Sequence, residues 1–358
     1  MTTDPPTPHG LRPATALCLS GGGFRAMLFH VGALRRLAEL GVLDEVRTVS
    51  SVSGGSIAAA AMSMHWSPEG LDVDAVERSL FDLAGTTLDV RAVLGGWARL
   101  RAPATQLAAL YDQYLLDGRS LQDVPDEPYF VFNTTNMHSG NAFMWSKDAA
   151  HDYSIGRIIE PQIALSLVVA ASSSFPPMLS PARIRTPGVM VHHHTGTPVP
   201  AQSRLWLTDG GVYDNMGIQS VDDHQTVLIS DGGAPFAATA KLSTNWLSIT
   251  LRTMSLLQNQ VGKRRRYEEL YAPDASTKTR LLWSLRNDHS GLGDDGLHLP
   301  PDRMRALSGV HTRLAKMPPE TRSQLINLGY ALADRRVRPV LRPDAAAPSA
   351  FPRAGGLG

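Results

Sequence analysis

Two strand-to-helix turns, separated by one helix and one strand, constrain this chain more than anything else in it. They lie in L-S-G-G-G-F-R-A-M-L-F-H-V-G-A-L-R-R-L-A-E-L-G-V-L-D-E-V-R-T-V-S-S-V-S-G-G-S, residues 19–56. The first, Gly21-Gly22-Gly23, joins an apolar strand-like run (16–19) to an amphipathic helix (26–40) that Gly41 ends. The second centres on Ser53, between a Val-rich strand (46–52) and a small-residue helix (56–62). A βαβα unit puts both turns at the carboxyl ends of neighbouring parallel strands. That is the edge of an open α/β sheet where ligands bind.

Glycines let the first turn bend sharply and leave its N–H groups uncovered. With a helix dipole behind them, those groups form a site for negative charge. A phosphate loop would follow the glycines with Lys-Ser/Thr or use G-x-G-x-x-G, and neither is present. An oxyanion hole needs a nucleophile close by, and Ser53 is placed to be one. S-V-S-G-G reads as S-x-S-x-G in place of G-x-S-x-G, with Ser51 where the first glycine of a nucleophile elbow stands. Alone, a serine-glycine turn is common and means little. Behind a triple-glycine turn it means more.

The chain has 358 residues, 43% hydrophobic and 19% charged, which suits one large α/β domain or two small ones. A formal net charge of +1 gives no general attraction to nucleic acid. The single cysteine, Cys18, excludes an intrachain disulfide and a thiolate zinc site, and reads as buried strand filler. The amino end has neither the basic start nor the apolar core of a signal peptide, and no run approaches membrane-span length. These features read as a soluble, cytoplasmic protein, with peripheral membrane association left open.

Residues 1–14 are Pro/Thr-rich and expected to be disordered, and so is the Pro/Ala/Gly-rich tail 336–358, leaving one domain over 15–335. Residues 66–124 read as a helical insertion, either a cap over the site or outer packing helices. Strand 129–133 is expected to pair with 142–146, and a helix to run from about 158 or 161 to 171. The segment 181–202 reads as a loop or hairpin. Its His192-His193-His194 cannot all converge on one ion, so metal binding is not expected there. Strands 205–208 and 226–229 each lead into D-G-G, at Asp209 and Asp231. Helices are expected at 243–271, 302–315 and 320–334. The K-R-R-R run 263–266 reads as a solvated face, with contact to anionic lipid the rarer reading.

A serine hydroxyl needs a base in contact with it. The histidines are poorly placed for that role: His30 in a helix, His138 in a turn, His192 to His194 in a loop, and His224 beside two aspartates. A carboxylate at another strand end is the alternative, and Asp209 fits if burial raises its pKa. Its plainer reading is a turn aspartate.

S-G-G-G-F-R, S-V-S-G-G and D-G-G-V-Y-D-N-M-G together resemble the patatin-like phospholipase family, over roughly residues 14–334; A-S-S-S-F-P-P (171–177) resembles a further family segment. The resemblance implies a three-layer α/β/α fold with a mostly parallel central sheet and helical insertions. It implies a serine lipid acyl hydrolase of phospholipase A or lysophospholipase type, with no histidine in the catalytic set and no metal or other cofactor. Ser53 would be the nucleophile and Asp209 the base. Gly21, Gly22 and Gly23 would form the oxyanion hole, and Arg25 would face substrate phosphate or steady that hole. The implied partner is a phospholipid or other acyl-ester lipid at a membrane or micelle surface, with no nucleic acid. Ser51, Ser20 and Ala26 depart from family residues without removing a reacting group. Asp209 is preferred to Asp231 because V-Y-D-N-M-G follows it. Two rivals stand: a general carboxylesterase or thioesterase on the same site, and an inert anion- or nucleotide-binding regulator.

Overall fold

The computed structural model describes residues 12–98, 102–192, 204–236, 245–271, 278–286 and 296–358. From the amino end come β1 (Arg12–Leu19), α1 (Gly23–Glu39), β2 (Val46–Val52), α2 (Gly54–Met64), α3 (Val73–Leu83), α4 (Asp89–Ala98) and α5 (Pro103–Tyr111). Then follow β3 (Tyr129–Asn136), β4 (Ala142–Trp145), β5 (Ala149–Asp152), β6 (Gly156–Ile159), α6 (Leu165–Ser172), β7 (Ala182–Arg185), β8 (Met190–Val191) and β9 (Arg204–Asp209). The last are β10 (His224–Asp231), α7 (Trp246–Tyr271), β11 (Thr279–Ser284), α8 (Pro301–Ser308) and α9 (Pro319–Leu341).

Among the described residues, a sheet of eleven strands organises the molecule. Its centre, β3-β2-β1-β10-β11, is parallel throughout, and β4, β5, β6 and β8 continue it antiparallel beyond β3. Central parallel strands are covered on both faces and so read as unbroken apolar runs. Ala16 to Leu19 and Val227 to Ile229 are such runs, all buried. Leu17, Leu19 and Leu228 share a core with α1, α2 and α9. Ala16, Cys18, Val227 and Ile229 pack on the opposite side against Met216, Ile218 and Val221, just past the first D-G-G.

One register feature sets up everything that follows. β3 pairs with β2 as far as Val52↔Asn133. From its next residue, Thr134↔Asp209, the same edge of β3 pairs with β9, which arrives antiparallel. Two strands thus meet end to end along β3, one finishing just before Ser53 and the other at Asp209.

Several expectations need correction. Residues 12–14 belong to β1; residues 1–11 lie outside the described residues. The tail is ordered: α9 continues to Leu341, and the Asn327 amide donates to the carbonyls of Arg353 (2.9 Å) and Gly356 (2.6 Å), with Leu357 buried. The asparagine and the leucine help to fasten a stretch whose composition suggests disorder, together with Arg36, which donates to the Ala346 carbonyl, and Phe351, which packs on the core. The helix expected from 158 or 161 starts at Leu165, because G-R-I-I alternates buried and exposed as β6 against β5. The helix expected to reach 315 stops at Ser308 before Gly309. The edge strand β11 was not foreseen. His193 and His194 lie outside the described residues. Among the described residues, no helix is long and apolar enough to cross a membrane.

Candidate active site

At the turn after β2, Ser53 takes φ 53° and ψ −115°. L-residues avoid that conformation at about 1–3 kcal/mol, and it persists where the surroundings over-determine it. Here they do. The Ser53 N–H donates to Ser172 Oγ (3.0 Å), and Ser172 donates to the Asn133 carbonyl (2.6 Å) and meets Ser56 Oγ at 2.8 Å. A Cβ on Gly55 would stand 2.1 Å from the Leu19 carbonyl oxygen, so α2 can begin against β1 only with glycine there. Ser51 fits where the elbow's first glycine was expected. It is fully buried, donates to the Val131 carbonyl (3.1 Å) and accepts from Ser56 Oγ (3.1 Å). Gly55→Ala should therefore unfold the elbow or greatly destabilise the protein, read as lost soluble expression or a large fall in the unfolding midpoint.

The glycine turn after β1 corrects one expectation. The Gly21 N–H is bonded to the Asn215 carbonyl (3.0 Å) and is not free to face a ligand. Gly22 and Gly23 remain, the first at φ +148° and the second opening α1. Among the described residues no acceptor takes their N–H groups, which sit at the positive end of the helix dipole.

Asp209 ends β9 and is 2% exposed. Its Oδ1 accepts the Gly211 N–H (2.7 Å), its carbonyl accepts Thr135 Oγ1 (2.9 Å), and its own N–H donates to the Ser174 carbonyl (3.1 Å). Burial pushes its pKa up to about 7, against the lowering effect of hydrogen bonds from the Ser53 hydroxyl and the Gly211 N–H. Ser53 and Asp209 are thus brought together, and the carboxyl titrates where a general base is useful.

The second D-G-G is its electrostatic opposite. Asp231 is also fully buried, and burial alone would raise its pKa. Arg286 and Arg266, the Gly233 N–H and Ser284 hold it below the usual carboxylate value instead. A carboxylate so held is a structural counter-ion and a poor base. His30 is buried between Ser230 Oγ (2.8 Å) and the Ser20 carbonyl (2.9 Å), and burial lowers its pKa to about 4, so it is neutral. It supports the residue before the glycines. His30→Gln should keep at least part of any hydrolytic activity, as a turnover assay at neutral pH would show.

Arg25 donates from Nε to the Gly232 carbonyl (3.1 Å) and from Nη1 to the Val310 carbonyl, while Nη2 has no hydrogen-bond partner among the described residues. That Nη2 is 3.1 Å from where a Cβ on Gly22 would stand. Burial and neighbouring Arg286 lower its pKa to about 10, so it remains a cation beneath the glycine turn.

Ser53, Asp209, Gly22, Gly23 and Arg25 all line one cavity of about 780 Å³. Val90, Val93 and Leu94 of α4, with Phe175, Met178 and Leu179, give it an apolar wall. Arg252, Arg265 and Arg266 of α7, with Arg286 and Arg313, give it a cationic one, which Asp89 and Asp214 partly offset as partners of Arg313 and Arg265. No histidine lines it among the described residues.

The family model of patatin-like phospholipases matches residues 17–222, from β1 through both the Ser53 and Asp209 turns. The chain belongs to the patatin-like phospholipase family. No curated protein matches it in overall sequence. Among solved structures it is similar to human GIVD cytosolic phospholipase A2, with a TM-score of 0.60 and 13% identity over 92% of this chain. The same human protein in complex with methyl gamma-linolenyl fluorophosphonate gives a TM-score of 0.56 at 16% identity, over 92% of this chain. At such identities the likeness concerns fold. This chain spans 59% and 58% of those two chains.

Within this patatin-like site, several residues carry weight that motif reading missed. Ser172 lies in the A-S-S-S-F-P-P segment and is the acceptor that fixes the Ser53 backbone. Asn215, in V-Y-D-N-M-G, holds Gly21 through its carbonyl, and its Oδ1 would lie 2.5 Å from a Cβ on either Gly21 or Gly211. Asn215 is thus a wedge between the glycine turn after β1 and the turn after Asp209. Only the family segments themselves hinted at either residue.

Proposed function

We propose that this protein is a serine lipid acyl hydrolase, of phospholipase A or lysophospholipase type, working through a Ser53–Asp209 dyad. The observation that carries the reading is that a buried Asp209 carboxyl, its pKa raised to about 7 by burial, lines one cavity with a serine on a strained elbow, whose hydroxyl is near enough to lower that pKa in turn. Ser53 Oγ attacks the ester carbonyl carbon as Asp209 takes its proton. The oxyanion of the tetrahedral intermediate faces the N–H groups of Gly22 and Gly23, each such donor contributing roughly 3–4 kcal/mol at comparable sites. Collapse expels the alcohol, which takes the proton from Asp209 and leaves an acyl-serine. Water then attacks that ester as Asp209 again accepts a proton; collapse breaks the bond to Oγ, Ser53 takes the proton back from Asp209, and the free acid departs. The residues present complete this cycle among themselves.

Cavity chemistry supports a lipid ester. The α4 wall suits an acyl chain, and the cationic wall suits an anionic headgroup. Arg25, already engaged by two carbonyls, is assigned to the potential beneath the hole rather than to grasping the headgroup. A long-chain fluorophosphonate should label the wild-type chain and leave Ser53→Ala unlabelled. Labelling that persists without Ser53 would remove the reading, and no labelling of either would favour the inert anion-binding alternative. A panel of phospholipid, lysophospholipid and short-chain esters separates a lipase from a general carboxylesterase by relative kcat/KM.

A further inference from the structure

Helix α7 is built inside out. The side it turns to the protein is polar: Arg265 reaches Asp214 (2.8 Å), Arg266 reaches Asp231 (3.5 Å), Asn259 is buried, and Gln258 approaches the Gly211 carbonyl (3.5 Å). The opposite side carries Trp246, Ile249, Leu256, Leu257 and Val261, all exposed, with Trp246 at 75% and Leu257 at 59%. A surface helix ordinarily does the reverse. The K-R-R-R run divides the same way: Arg265 and Arg266 turn inward, while Lys263 and Arg264 stand exposed beside Val261.

Across the cavity, α4 shows the same exposed apolar character, with Val90, Leu94 and Trp97, the last at 75%. Val90, Leu94 and Val261 both line the cavity and reach solvent, so they stand on its rim. An apolar patch of this kind marks an interaction surface.

We propose that the outward faces of α4 and α7 form the surface by which the protein docks on an anionic phospholipid bilayer, with the cavity mouth facing the lipid. The inference rests on the lipid hydrolase reading, since it is an acyl chain that must pass this rim. Three observations select a bilayer as the occupant. The apolar face is continuous with the entry to the cavity. Tryptophans, the residues that favour the membrane interface, stand on both helices. Lys263 and Arg264 accompany the apolar residues on the exposed side, and cations beside an apolar face complement anionic headgroups. The polar inner face is what lets α7 do this. It is held by charged and polar contacts, which frees its apolar residues for the lipid.

The test uses the full chain carrying Ser53→Ala, so that vesicles are not consumed, and sedimentation with vesicles of phosphatidylcholine alone or mixed with phosphatidylglycerol. Binding is expected to favour the mixed vesicles and to weaken with salt. Trp246→Glu with Leu257→Glu, or Trp97→Glu, should weaken it about tenfold or more. None of these residues lines the cavity, so placed in the enzyme that keeps Ser53 they should leave turnover of a monomeric, water-soluble ester unchanged, which also certifies the fold. Variants that sediment like their parent overturn the docking surface. So does a lipid-free sizing experiment in which the parent is a dimer and the variants are monomers, since the face then belongs to a second copy. A wild type that sediments normally but does not turn over the soluble ester leaves docking in place and removes the hydrolase reading.

Discussion

Ser53→Ala and Asp209→Asn should each reduce ester hydrolysis to background, a loss of about ten-thousand- to million-fold in kcat, in protein that still folds. The two losses should be alike because the residues act as one unit. Without Oγ there is no acyl-enzyme, and without the carboxylate no group takes the Oγ proton. The wild type should reveal its base through pH. Only ionised Asp209 accepts a proton, and with its pKa at about 7 the ionised fraction falls roughly tenfold per unit below that value. Thus kcat/KM should climb through the acid limb and level off above pH 7. A carboxylate at the ordinary 3.8 would leave activity flat from pH 5 upward, so a flat profile there would sink the assignment. A histidine base would also give a rising limb, which is why the profile is read with His30→Gln. Activity that survives in that variant, and at least partly in Asp231→Asn, leaves Asp209 as the titrating group.

The two copies of D-G-G show how much of the site could be read from sequence. Local chemistry alone makes Asp209 and Asp231 look the same: a strand end, a carboxylate, two glycines. What separates them is distant in the chain. Arg266 and Arg286 come from α7 and from the turn after β11 and lie beside Asp231, while burial, a serine and one N–H govern Asp209. The preference for Asp209 therefore depends on a family resemblance, and the difference between the two carboxyls is visible only in the fold. The strand-turn-helix signals around Gly21 and Ser53 were legible because they are local, set by glycine spacing and an apolar run. Even there, the Gly21 amide was misassigned, since its acceptor is Asn215, far along the chain. β9 is the clearest case. Its apolar run was recognisable as a strand. That it runs antiparallel, and meets β2 head to head along β3, is a tertiary register no short window contains. The helix α7 was legible in extent but not in orientation: periodicity reveals an apolar face, and convention would have turned that face inward.

Asp209→Asn should make the protein more stable above neutral pH while it removes activity. The folded carboxyl has a pKa of about 7 and the unfolded one an ordinary value of 3.8. Below 3.8 both states hold the proton and the residue favours neither. Between 3.8 and 7 the unfolded chain has released its proton and the folded chain keeps it, so the folded state binds more protons. Stability therefore falls as pH rises through that window, and above 7 the whole penalty is present. About three pKa units correspond to roughly 4 kcal/mol, an upper figure for a site that can relax. Asparagine is isosteric and neutral, and its Oδ1 can still accept the Gly211 N–H, so it should recover much of this. Urea unfolding should show the variant about 2–4 kcal/mol more stable than wild type at pH 8, with the gap closing toward pH 4. A gap of equal size at both pH values would mean that something other than the buried charge is responsible. The direction of the effect fits the proposed role: a carboxylate that is to take a proton from serine at neutral pH must be held where its charge is unwelcome, and the fold is less stable for holding it there.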